Sequence, residues 1–485
     1  MRKKTCLKKV LCVSLTTCSL FSAMACKESG GNIVLTDTLP EYKAVKILDI
    51  DAWLGPKTAD HALQDFADCG YNLYHLQQAN FSSVSKLTSD AECNKWLDRI
   101  FTKSKEYGLR VILAPHAVNT SAESIIPFEY TYSRVGETLE KWKDEPTFYG
   151  FMPTDETTWD KPLVGTSTDL NSKRDDEALL KRDYERSIDF IRDDYLFFSS
   201  KFPGKYFETT LLGTVLDNAQ MPYFMNGRNN YEEYLDVYYN DFLQYVAMDE
   251  RVYSFDAYPF YMNKNRFLYR PRFLETLEII AERAEAAGAK KATYIQNEDS
   301  IINGEVVDYQ YFTAMAFGYT HFTTYCYSDE WGEEQFSTTN GGVKTANYYY
   351  FQRAHQKVKS LEAVYTNFCD RRIGTMAIAG KKQDDHMWRT CTKMSKALPI
   401  VNEVSCDYDV LIGAFKDAEG NYGYMLANQM IPDNVQTNTV EISFAGASRV
   451  AVWADGKSLE IVAAPNGKLD LTLASGGGAF VVPLS

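Results

Sequence analysis

Between residues 44 and 361 the sequence repeats one unit eight times: a short apolar run ending in polar or aromatic residues, then a helical stretch. The runs are VKILDIDAW (45–53), YNLYHLQQ (71–78), LRVILAPH (109–116), FYGFMPTDE (148–156), KYFETTLLG (205–213), VYSFDAYPFY (252–261), KATYIQNE (291–298) and HFTTYCYSDEW (321–331). Short strands that alternate with helices are typical of parallel βαβ units. Eight units over roughly 300 residues predict a (β/α)8 TIM barrel.

An open, doubly wound α/β sheet is the alternative architecture for such a repeat. That fold usually carries a Gly-rich phosphate loop, and the sequence has neither GxGxxG nor GxxxxGK. The intervening segments include clear amphipathic helices at 94–108 and 272–288, and Gly288 is placed to cap the second. The barrel is therefore the preferred prediction for residues 44–361.

The pattern of apolar and polar residues changes after residue 361. Short alternating runs such as DVLIGAF, NTVEISF, SRVAVWA and KLDLTLA are separated by Gly, Asp and Asn turns, and AEGN and ADGK look like hairpin turns. This spacing is typical of an all-β module. We predict a C-terminal β-sandwich domain over residues 362–485.

The N-terminus reads as an export signal. MRKKTCLKK is basic, VLCVSLTTCSLFS is apolar but too short for a mature membrane span, and AMAC is a small-residue cleavage site. The Cys after Ala-Met-Ala resembles the lipobox of bacterial lipoproteins, in which that Cys is lipidated. We expect a signal peptide at 1–25, lipidation of Cys26 and a tether at 26–43. The chain would then be anchored to the outer membrane, on its periplasmic side or at the cell surface.

Charge and cysteine content exclude some partners. Removal of residues 1–25 deletes five basic residues and no acidic one, which takes the formal net charge from −14 to −19. An excess of negative charge repels nucleic acid. The six cysteines after Cys26 form no CxxC or Cys/His group at zinc spacing. We expect no nucleic-acid partner, no metal and no cofactor.

In a TIM barrel the active-site residues follow the C-terminal ends of the strands. Every run except the fifth brings polar or aromatic residues to that rim. Two glutamates there, Glu156 after the fourth strand and Glu298 after the seventh, are the candidate catalytic pair. The candidate substrate-binding residues are Trp53, His75, Gln77, His116, Asp155, Asp256, Tyr258, Tyr261, Gln296, Glu330 and Trp331.

Two carboxylates on either side of a scissile bond are what glycoside hydrolysis requires. One donates a proton to the leaving oxygen, and the other attacks the anomeric carbon or activates water. The fourth and seventh strands lie across a barrel mouth from one another, so Glu156 and Glu298 can face each other over a sugar. The like charge of Asp155 makes ionisation of Glu156 more costly and suits it to the acid role. The 33 Tyr, 27 Phe and 7 Trp fit a sugar-binding cleft, although they also fit ordinary core packing.

The stretches FYGFMPTDE, FDAYPFY, YIQNE, YFTAMAFGYTHFTTYCY and DVLIGAFKDAEGNYGYMLAN resemble clan A glycoside hydrolases, in particular β-galactosidase-like enzymes with a barrel followed by a β-sandwich. The resemblance covers roughly residues 45–485. It implies a retaining glycosidase for a β-galactoside-like substrate, with Glu156 as acid/base and Glu298 as nucleophile. It also implies a strand-six tyrosine, Tyr258 or Tyr261, beside the nucleophile, and Trp331 as a sugar platform.

Two departures from the family pattern leave alternatives open. The clan usually has Asn before the acid/base, where this chain has Asp155. Related sequences with a similar Ile-Gln strand need not carry an acid two positions later, where this chain has Glu298. If Glu298 is not the nucleophile, Asp256 or Glu330 is the next candidate. The alternative function is a non-catalytic glycan-binding lipoprotein on a degenerate hydrolase barrel. A zinc hydrolase is disfavoured, because none of the six histidines forms HxH or HExxH. The sequence leaves the sugar, the linkage and the oligomeric state open.

Overall fold

A computed structural model describes most of the chain from residue 35 to residue 485, and these residues belong to one compact unit. The described ranges are 35–77, 89–115, 127–154, 177–213, 231–263, 266–270, 272–297, 302–328, 338–340, 342–389, 391, 393–430, 432, 436–454, 456–457 and 459–485. Each of the eight runs contributes strand structure to a parallel sheet.

The strands of this half form two parallel sheets. They are β1 (Asp49–Ala52), β2 (Leu73–Leu76), β3 (Arg110–Leu113), β4 (Phe148–Phe151), β5 (Tyr206–Phe207), β6 (Thr210–Leu212), β7 (Val252–Asp256), β10 (Lys290–Gln296) and β11 (His321–Tyr325). One sheet has the order β2-β3-β4-β5, and the other has the order β1-β11-β10-β7-β6. Two short antiparallel hairpins accompany them: β8 (Phe260–Asn263) with β9 (Arg266–Tyr269), and β12 (Thr339–Asn340) with β13 (Val343–Lys344).

The described helices lie between these strands. They are α1 (Asp60–Asp68), α2 (Asp90–Glu106), α3 (Phe128–Trp142), α4 (Glu177–Lys201), α5 (Tyr231–Asp241), α6 (Phe273–Ala287), α7 (Gly304–Ala316) and α8 (Ala346–Tyr365). Three short 3-10 turns complete this half and the next, at Leu243–Tyr245, Met248–Glu250 and Pro465–Gly467.

Local sequence signals explain where two helices begin and end. The Ser89 hydroxyl accepts the backbone N–H of Glu92, and the Glu92 carboxylate accepts the backbone N–H of Ser89, so α2 starts with a complete capping box. At the C-terminal end of α6, Gly288 adopts φ 64°, a left-handed conformation that glycine enters without steric cost. The predicted cap at Gly288 is confirmed.

The second half of the structure, which is antiparallel, follows α8. Its strands are β14 (Arg372–Ile378), β15 (Val401–Cys406), β16 (Val410–Lys416), β17 (Tyr422–Asn428), β18 (Asn438–Phe444), β19 (Arg449–Ala454), β20 (Glu460–Ala463), β21 (Lys468–Leu473) and β22 (Gly478–Leu484). A six-stranded sheet has the order β14-β16-β17-β22-β19-β20, and a three-stranded sheet has the order β15-β18-β21. Residues of both sheets share one apolar core, which is compatible with the predicted β-sandwich.

The other face of the six-stranded sheet packs against α7 and α8. Phe415 and Phe480 belong to the same apolar core as Tyr365 of α8. Tyr309 donates to Gln429 Oε1 over 2.7 Å, and Gln429 Nε2 donates to Thr313 over 2.7 Å, so α7 and the end of β17 are joined by buried hydrogen bonds. The two halves therefore share a buried interface, and the boundary at residue 362 stays a prediction.

The fold class agrees with the sequence in its coarse features: parallel strands alternating with helices, then antiparallel sheets. The fifth run differs in detail, because it is interrupted at residues 208–209 and joins a different sheet on each side of that point. Among the residues that the structure describes, no helix is both long and apolar enough to cross a membrane.

Candidate active site

Alternate residues of the central strands point to a common buried interior. Asp49, Asp51 and Trp53 alternate along β1 and just beyond it, as side chains on one face of a strand do. His75 lies on β2, and His321 is the first residue of β11. All five are buried. The interior is thus lined by ionisable groups, although the strands that supply them read as apolar.

The carboxylate of Asp51 connects two imidazoles. His321 Nε2 lies 2.8 Å from Asp51 Oδ2, and His75 Nε2 lies 3.1 Å from the same oxygen. The side chains of Asp51 and His75 are fully buried, and that of His321 is 2% exposed. A buried carboxylate is costly unless it is paired, and here two rings on two different strands provide the pairing.

The neighbours of Asp51 and His321 fix their charges. Burial alone would raise the pKa of Asp51, but the charges of His75 and His321 outweigh burial and hold it below its usual range. Burial alone would lower the pKa of His321, but Asp51 and Glu208 raise it to about 9. The pKa of His75 is also raised, against burial, by Asp51. At neutral pH an ionised Asp51 therefore lies beside a protonated His321, and the same carboxylate favours the protonated form of His75.

The fifth strand brings a further carboxylate, which the sequence reasoning missed. Glu208 lies between β5 and β6, is fully buried, and has Oε2 4.0 Å from His321 Nδ1. The same His321 nitrogen is 3.0 Å from the Tyr206 hydroxyl. Burial, together with the charge of Glu208, raises the pKa of Tyr206 well above its usual value, so its hydroxyl stays protonated.

A second polar group lies at the start of the strands. Arg110 Nη2 is 2.7 Å from Asp49 Oδ1, and the Tyr149 hydroxyl donates to Asp49 Oδ2 over 3.1 Å. The Arg110 guanidinium also lies 4.6 Å from the centre of the Tyr149 ring. This group is connected to the Asp51 cluster through the stacked rings of Tyr149 and Tyr206, whose centres are 5.0 Å apart.

Aromatic rings gather at the C-terminal ends of the strands. The Trp53 ring meets His75 edge-on, with centres 6.2 Å apart at 85°, and its centre is 6.4 Å from that of Tyr294. The rings of Tyr258 and Tyr325, after β7 and at the end of β11, are 5.9 Å apart. Indole and phenol rings present apolar faces with a polar edge, which suits contact with a sugar ring.

Other predicted substrate-binding residues have mixed placements. Gln77 is buried, and its Nε2 has no hydrogen-bond partner among the described residues. Asp256 is buried at the end of β7. Tyr261 is half-buried on β8, 5.4 Å from the Arg270 guanidinium.

Gln296 is held by backbone groups on both sides of its amide. Its Oε1 accepts the Phe260 N–H over 3.3 Å, and its Nε2 donates to the Phe260 carbonyl over 3.0 Å. The side chain thereby links the end of β10 to the hairpin that begins at Phe260. A substrate contact for Gln296 stays a prediction.

The next residue, Asn297, was not singled out from the sequence. Its Nδ2 donates to the Cys326 carbonyl over 2.7 Å, and its Oδ1 accepts from Asn347 Nδ2 over 2.8 Å. Its backbone N–H donates to the Tyr325 carbonyl over 2.7 Å. The chain position directly before Glu298 is therefore fixed to β11 and α8. The sequence feature that could have identified Asn297 is its position as an amide directly before the candidate nucleophile.

Several predicted residues lie outside the described part of the chain: both catalytic candidates, Glu156 and Glu298, as well as Cys26, His116, Asp155, Glu330 and Trp331. The structure does describe the strands that lead to the catalytic pair, β4 as far as Thr154 and β10 as far as Asn297. Within the described residues no group of three His, Cys, Asp or Glu side chains is arranged to hold a metal ion.

Comparison with known proteins gives similarity at the level of structure alone. No family model matches the sequence, and no curated protein does. Among the solved structures that resemble this chain are glycoside hydrolases of low sequence identity. They include a β-galactosidase from the haloarchaeon Halorubrum lacusprofundi, with 9% identity and a TM-score of 0.46 over 90% of this chain and 99% of that one.

Two further solved structures show the same level of similarity. A β-galactosidase from Marinomonas ef1 has 12% identity and a TM-score of 0.43 over 64% of this chain, which spans 60% of the length of that enzyme. A GH30 endoxylanase from Clostridium papyrosolvens has 10% identity and a TM-score of 0.39 over 93% of this chain and 99% of that one.

Proposed function

We propose that the two parallel sheets are the two parts of one closed (β/α)8 barrel. Two connections between them support this. The fifth run pairs with β4 through Tyr206–Phe207 and with β7 through Thr210–Leu212. On the opposite side the Asn72 N–H donates to the Ile50 carbonyl over 2.9 Å, which brings the start of β2 against β1. All eight runs then share one direction around the barrel.

We propose that this barrel is a glycoside hydrolase with Glu156 and Glu298 as its two catalytic carboxylates. The observation that carries this proposal is the direction of β4 and β10. Parallel pairing from β4 through β5, β6 and β7 to β10 directs their C-terminal ends to the same side. In the sequence Glu156 comes five residues after the end of β4 and Glu298 two residues after the end of β10. Barrel enzymes carry their active sites at the C-terminal ends of the strands.

The proposed mechanism is retaining. Glu298 attacks the anomeric carbon as Glu156 donates its proton to the departing oxygen, which leaves a covalent glycosyl–enzyme ester. Glu156 then takes a proton from a water that attacks the same carbon, and Glu298 leaves. This sequence requires the two carboxyl groups to be roughly 5–5.5 Å apart, whereas an inverting enzyme needs roughly 6.5–9.5 Å.

The rings at the strand ends support a carbohydrate substrate. Trp53 and Tyr294 form one pair and Tyr258 and Tyr325 another, and all four lie within one packed cluster. Stacking of an indole or phenol on the C–H face of a pyranose would orient the sugar. We propose a β-galactoside-like oligosaccharide or polysaccharide as the substrate.

Hydrolysis of a panel of aryl glycosides and oligosaccharides tests the proposal. Glu156→Gln and Glu298→Gln should each lower kcat about a thousandfold, as expected for loss of an acid or nucleophile. An aryl glycoside whose leaving group needs no proton should restore the first step, seen as a burst of released phenol, in Glu156→Gln but not in Glu298→Gln. The matched control is Glu145→Gln, which removes a partly exposed acid paired with Lys105 and should be fully active.

The stereochemistry of the product separates the two mechanisms. A retaining enzyme releases a product with the same anomeric configuration as the substrate. NMR detects that configuration in the first minutes of reaction. Binding of glycans without hydrolysis by the wild type would replace this proposal with the glycan-binding alternative. A product of inverted configuration would leave the proposal of a glycosidase standing but would exclude Glu298 as a nucleophile.

We further propose that the chain acts at the cell envelope, anchored through a lipid on Cys26. The sequence around Cys26 supports this: a basic segment, a short apolar segment and the small residues Ala-Met-Ala precede the Cys. A glycosidase held there would meet extracellular or periplasmic glycans.

A further inference from the structure

We propose that Asp51 and His321 are positioning residues that hold the His75–Trp53 pair in place for substrate binding. The inference rests on the proposed function, because it treats that pair as part of the sugar-binding surface. It assigns a task to three buried groups, Asp51, His321 and Tyr206, that the two-carboxylate mechanism does not use.

The geometry forms a continuous bridge across the interior. The Tyr206 hydroxyl lies 3.0 Å from His321 Nδ1, and His321 Nε2 lies 2.8 Å from Asp51 Oδ2. That same Asp51 oxygen lies 3.1 Å from His75 Nε2. The bridge therefore runs from the fifth strand through β11 and β1 to β2, and it ends on the imidazole that meets Trp53.

The position of Trp53 depends on the same strand. Trp53 follows Asp51 by two residues, and its backbone N–H donates to the Thr324 carbonyl over 2.8 Å, which pairs β1 with β11 at that level. The His75 ring stands at 85° to the indole. An imidazole without its Asp51 contact is free to change rotamer, and the indole would lose the ring that it packs against.

The acids around the bridge also raise the pKa of both imidazoles. The charged groups around His321 are Asp49 and Asp51 from β1, His75 from β2, and Glu208 from the fifth strand. Arg110 from β3 pairs with Asp49. His75 Nε2 lies 3.1 Å from Asp51 Oδ2 as an ion-pair contact, and the protonated His321 donates its Nε2–H to that same oxygen over 2.8 Å. A charge-assisted hydrogen bond of this kind holds a ring more firmly than a neutral one.

Two neighbouring tyrosines provide a matched pair of mild variants. Tyr206→Phe removes the hydroxyl that contacts His321, whereas Tyr149→Phe removes one that contacts Asp49, outside the bridge. Tyr206 is buried and Tyr149 partly buried, they lie on adjacent strands, and their rings stack on one another. Each change deletes one hydroxyl with one hydrogen bond to a charged or chargeable group, so their effects on folding should be similar.

The test measures kcat and KM on a cleaved glycan, together with NMR titration of 13C-histidine label in the full chain, which has six histidines. Asp51→Asn should raise KM about tenfold with little change in kcat, as loss of one charge-assisted hydrogen bond predicts. Its His75 and His321 signals should titrate at lower pH than in the wild type. Tyr206→Phe should shift the His321 signal and raise KM, and Tyr149→Phe should do neither.

The outcomes separate this inference from the proposed function. If the wild type cleaves no glycan, the proposed function fails, and glycan affinity then replaces KM in the same comparison. The inference is overturned if Tyr206→Phe and Tyr149→Phe have the same effect on KM or affinity. It is also overturned if the histidine signals of Asp51→Asn titrate as in the wild type.

Discussion

Two buried histidines differ in charge because their neighbours differ: His321 is protonated and His355 is neutral. His321 faces the carboxylate of Asp51, which raises its pKa to about 9. His355 lies between the Tyr311 hydroxyl, 2.7 Å from Nε2, and the Cys69 carbonyl, 2.9 Å from Nδ1. Burial lowers the pKa of His355 to about 3. Its Nδ1 donates and its Nε2 accepts, so the ring is neutral.

This difference predicts how stability depends on pH. The pKa of His321 is higher in the folded chain than its ordinary 6.5. Its contribution is therefore complete below pH 6.5 and is lost as the pH rises to about 9. The free energy of unfolding, measured by urea titration across that range, should fall by about 3 kcal/mol on account of this residue. His321→Gln should remove most of that slope.

His355→Gln is the control for this measurement. It also replaces a fully buried imidazole, but one that is neutral throughout the range from pH 6.5 to about 9. It should lower stability at every pH in that range and leave the slope unchanged. A slope that disappears in both variants would contradict the assignment to His321.

In the sequence, site candidates were sought at or near the C-terminal ends of the strands and not deeper inside them. Trp53, His75 and Gln77 were proposed because a polar or aromatic residue at such a position is typical of a barrel site. Asp51, Glu208 and His321 lie within or between strand segments, where an apolar core was expected. For two of them the signal is a charged or ionisable residue at every second position of a run, as in Asp49 and Asp51 and in Tyr206 and Glu208.

At the scale of elements, Gly413 allows the six-stranded sheet to contact α7. A Cβ built on Gly413 would lie 2.0 Å from the backbone oxygen of Ala316 at the end of that helix. Because this neighbour is backbone, the clash cannot be relieved by a rotamer change. Gly413→Ala should lower the free energy of unfolding by about 3 kcal/mol, measured by urea denaturation.

Gly304, the first residue of α7, is the matched control. A Cβ there meets the Arg353 guanidinium at 3.5 Å, an ordinary contact with the end of a flexible side chain. Gly304→Ala should leave stability unchanged or raise it by about 0.5 kcal/mol through reduced freedom of the unfolded chain. Equal losses in the two variants would show that the close approach at Gly413 is not what matters.

The elements themselves were largely predictable, because apolar runs and helical periodicity are local signals. The runs at 45–53, 109–116 and 291–298 contain β1, β3 and most of β10. The break in the fifth strand was not predictable, since it depends on pairing with two different neighbours, β4 and β7. The hairpin that begins at Phe260 was missed because its first strand continues an apolar run.

At the scale of the whole molecule, a buried ion-pair group joins the two halves. Arg372, the first residue of β14, contacts Glu278 at 3.0 Å and Glu285 at 2.7 Å, both on α6. Lys291 on β10 also contacts Glu285, at 2.9 Å. The side chains of Arg372 and Glu278 are only 2% and 4% exposed. Removing one partner from such a group leaves an uncompensated charge in the interface.

Arg372→Met should therefore lower the free energy of unfolding by about 3–5 kcal/mol. The comparison is Arg283→Met. Arg283 lies on α6, the helix that carries Glu278 and Glu285, and its guanidinium pairs with Glu232 and Asp236 on α5 at the surface. Exposed pairs contribute about 0–1 kcal/mol. Chemical denaturation of both variants measures the difference, and similar losses would mean that burial of Arg372 adds nothing.

The envelope location is testable on the intact chain. Wild-type protein should fractionate with membranes, and Cys26→Ser should move it to the soluble fraction, because each buried CH₂ of a lipid contributes about 0.8 kcal/mol to membrane binding. Mass spectrometry of the mature N-terminus checks the modification itself. Membrane association that is unchanged in Cys26→Ser would exclude the anchor.

The strand order of the six-stranded sheet has a consequence for synthesis on the ribosome. β22 lies between β17 and β19, so residues 478–484 fill the middle of the sheet although they are translated after all its other strands. Until they emerge, β17 and β19 each expose an unpaired edge, and such edges invite pairing with other chains. The parallel half can complete its strand pairing first, whereas the antiparallel half must wait until β22 has emerged. A chaperone that shields strand edges would thus act on the C-terminal half, late in synthesis.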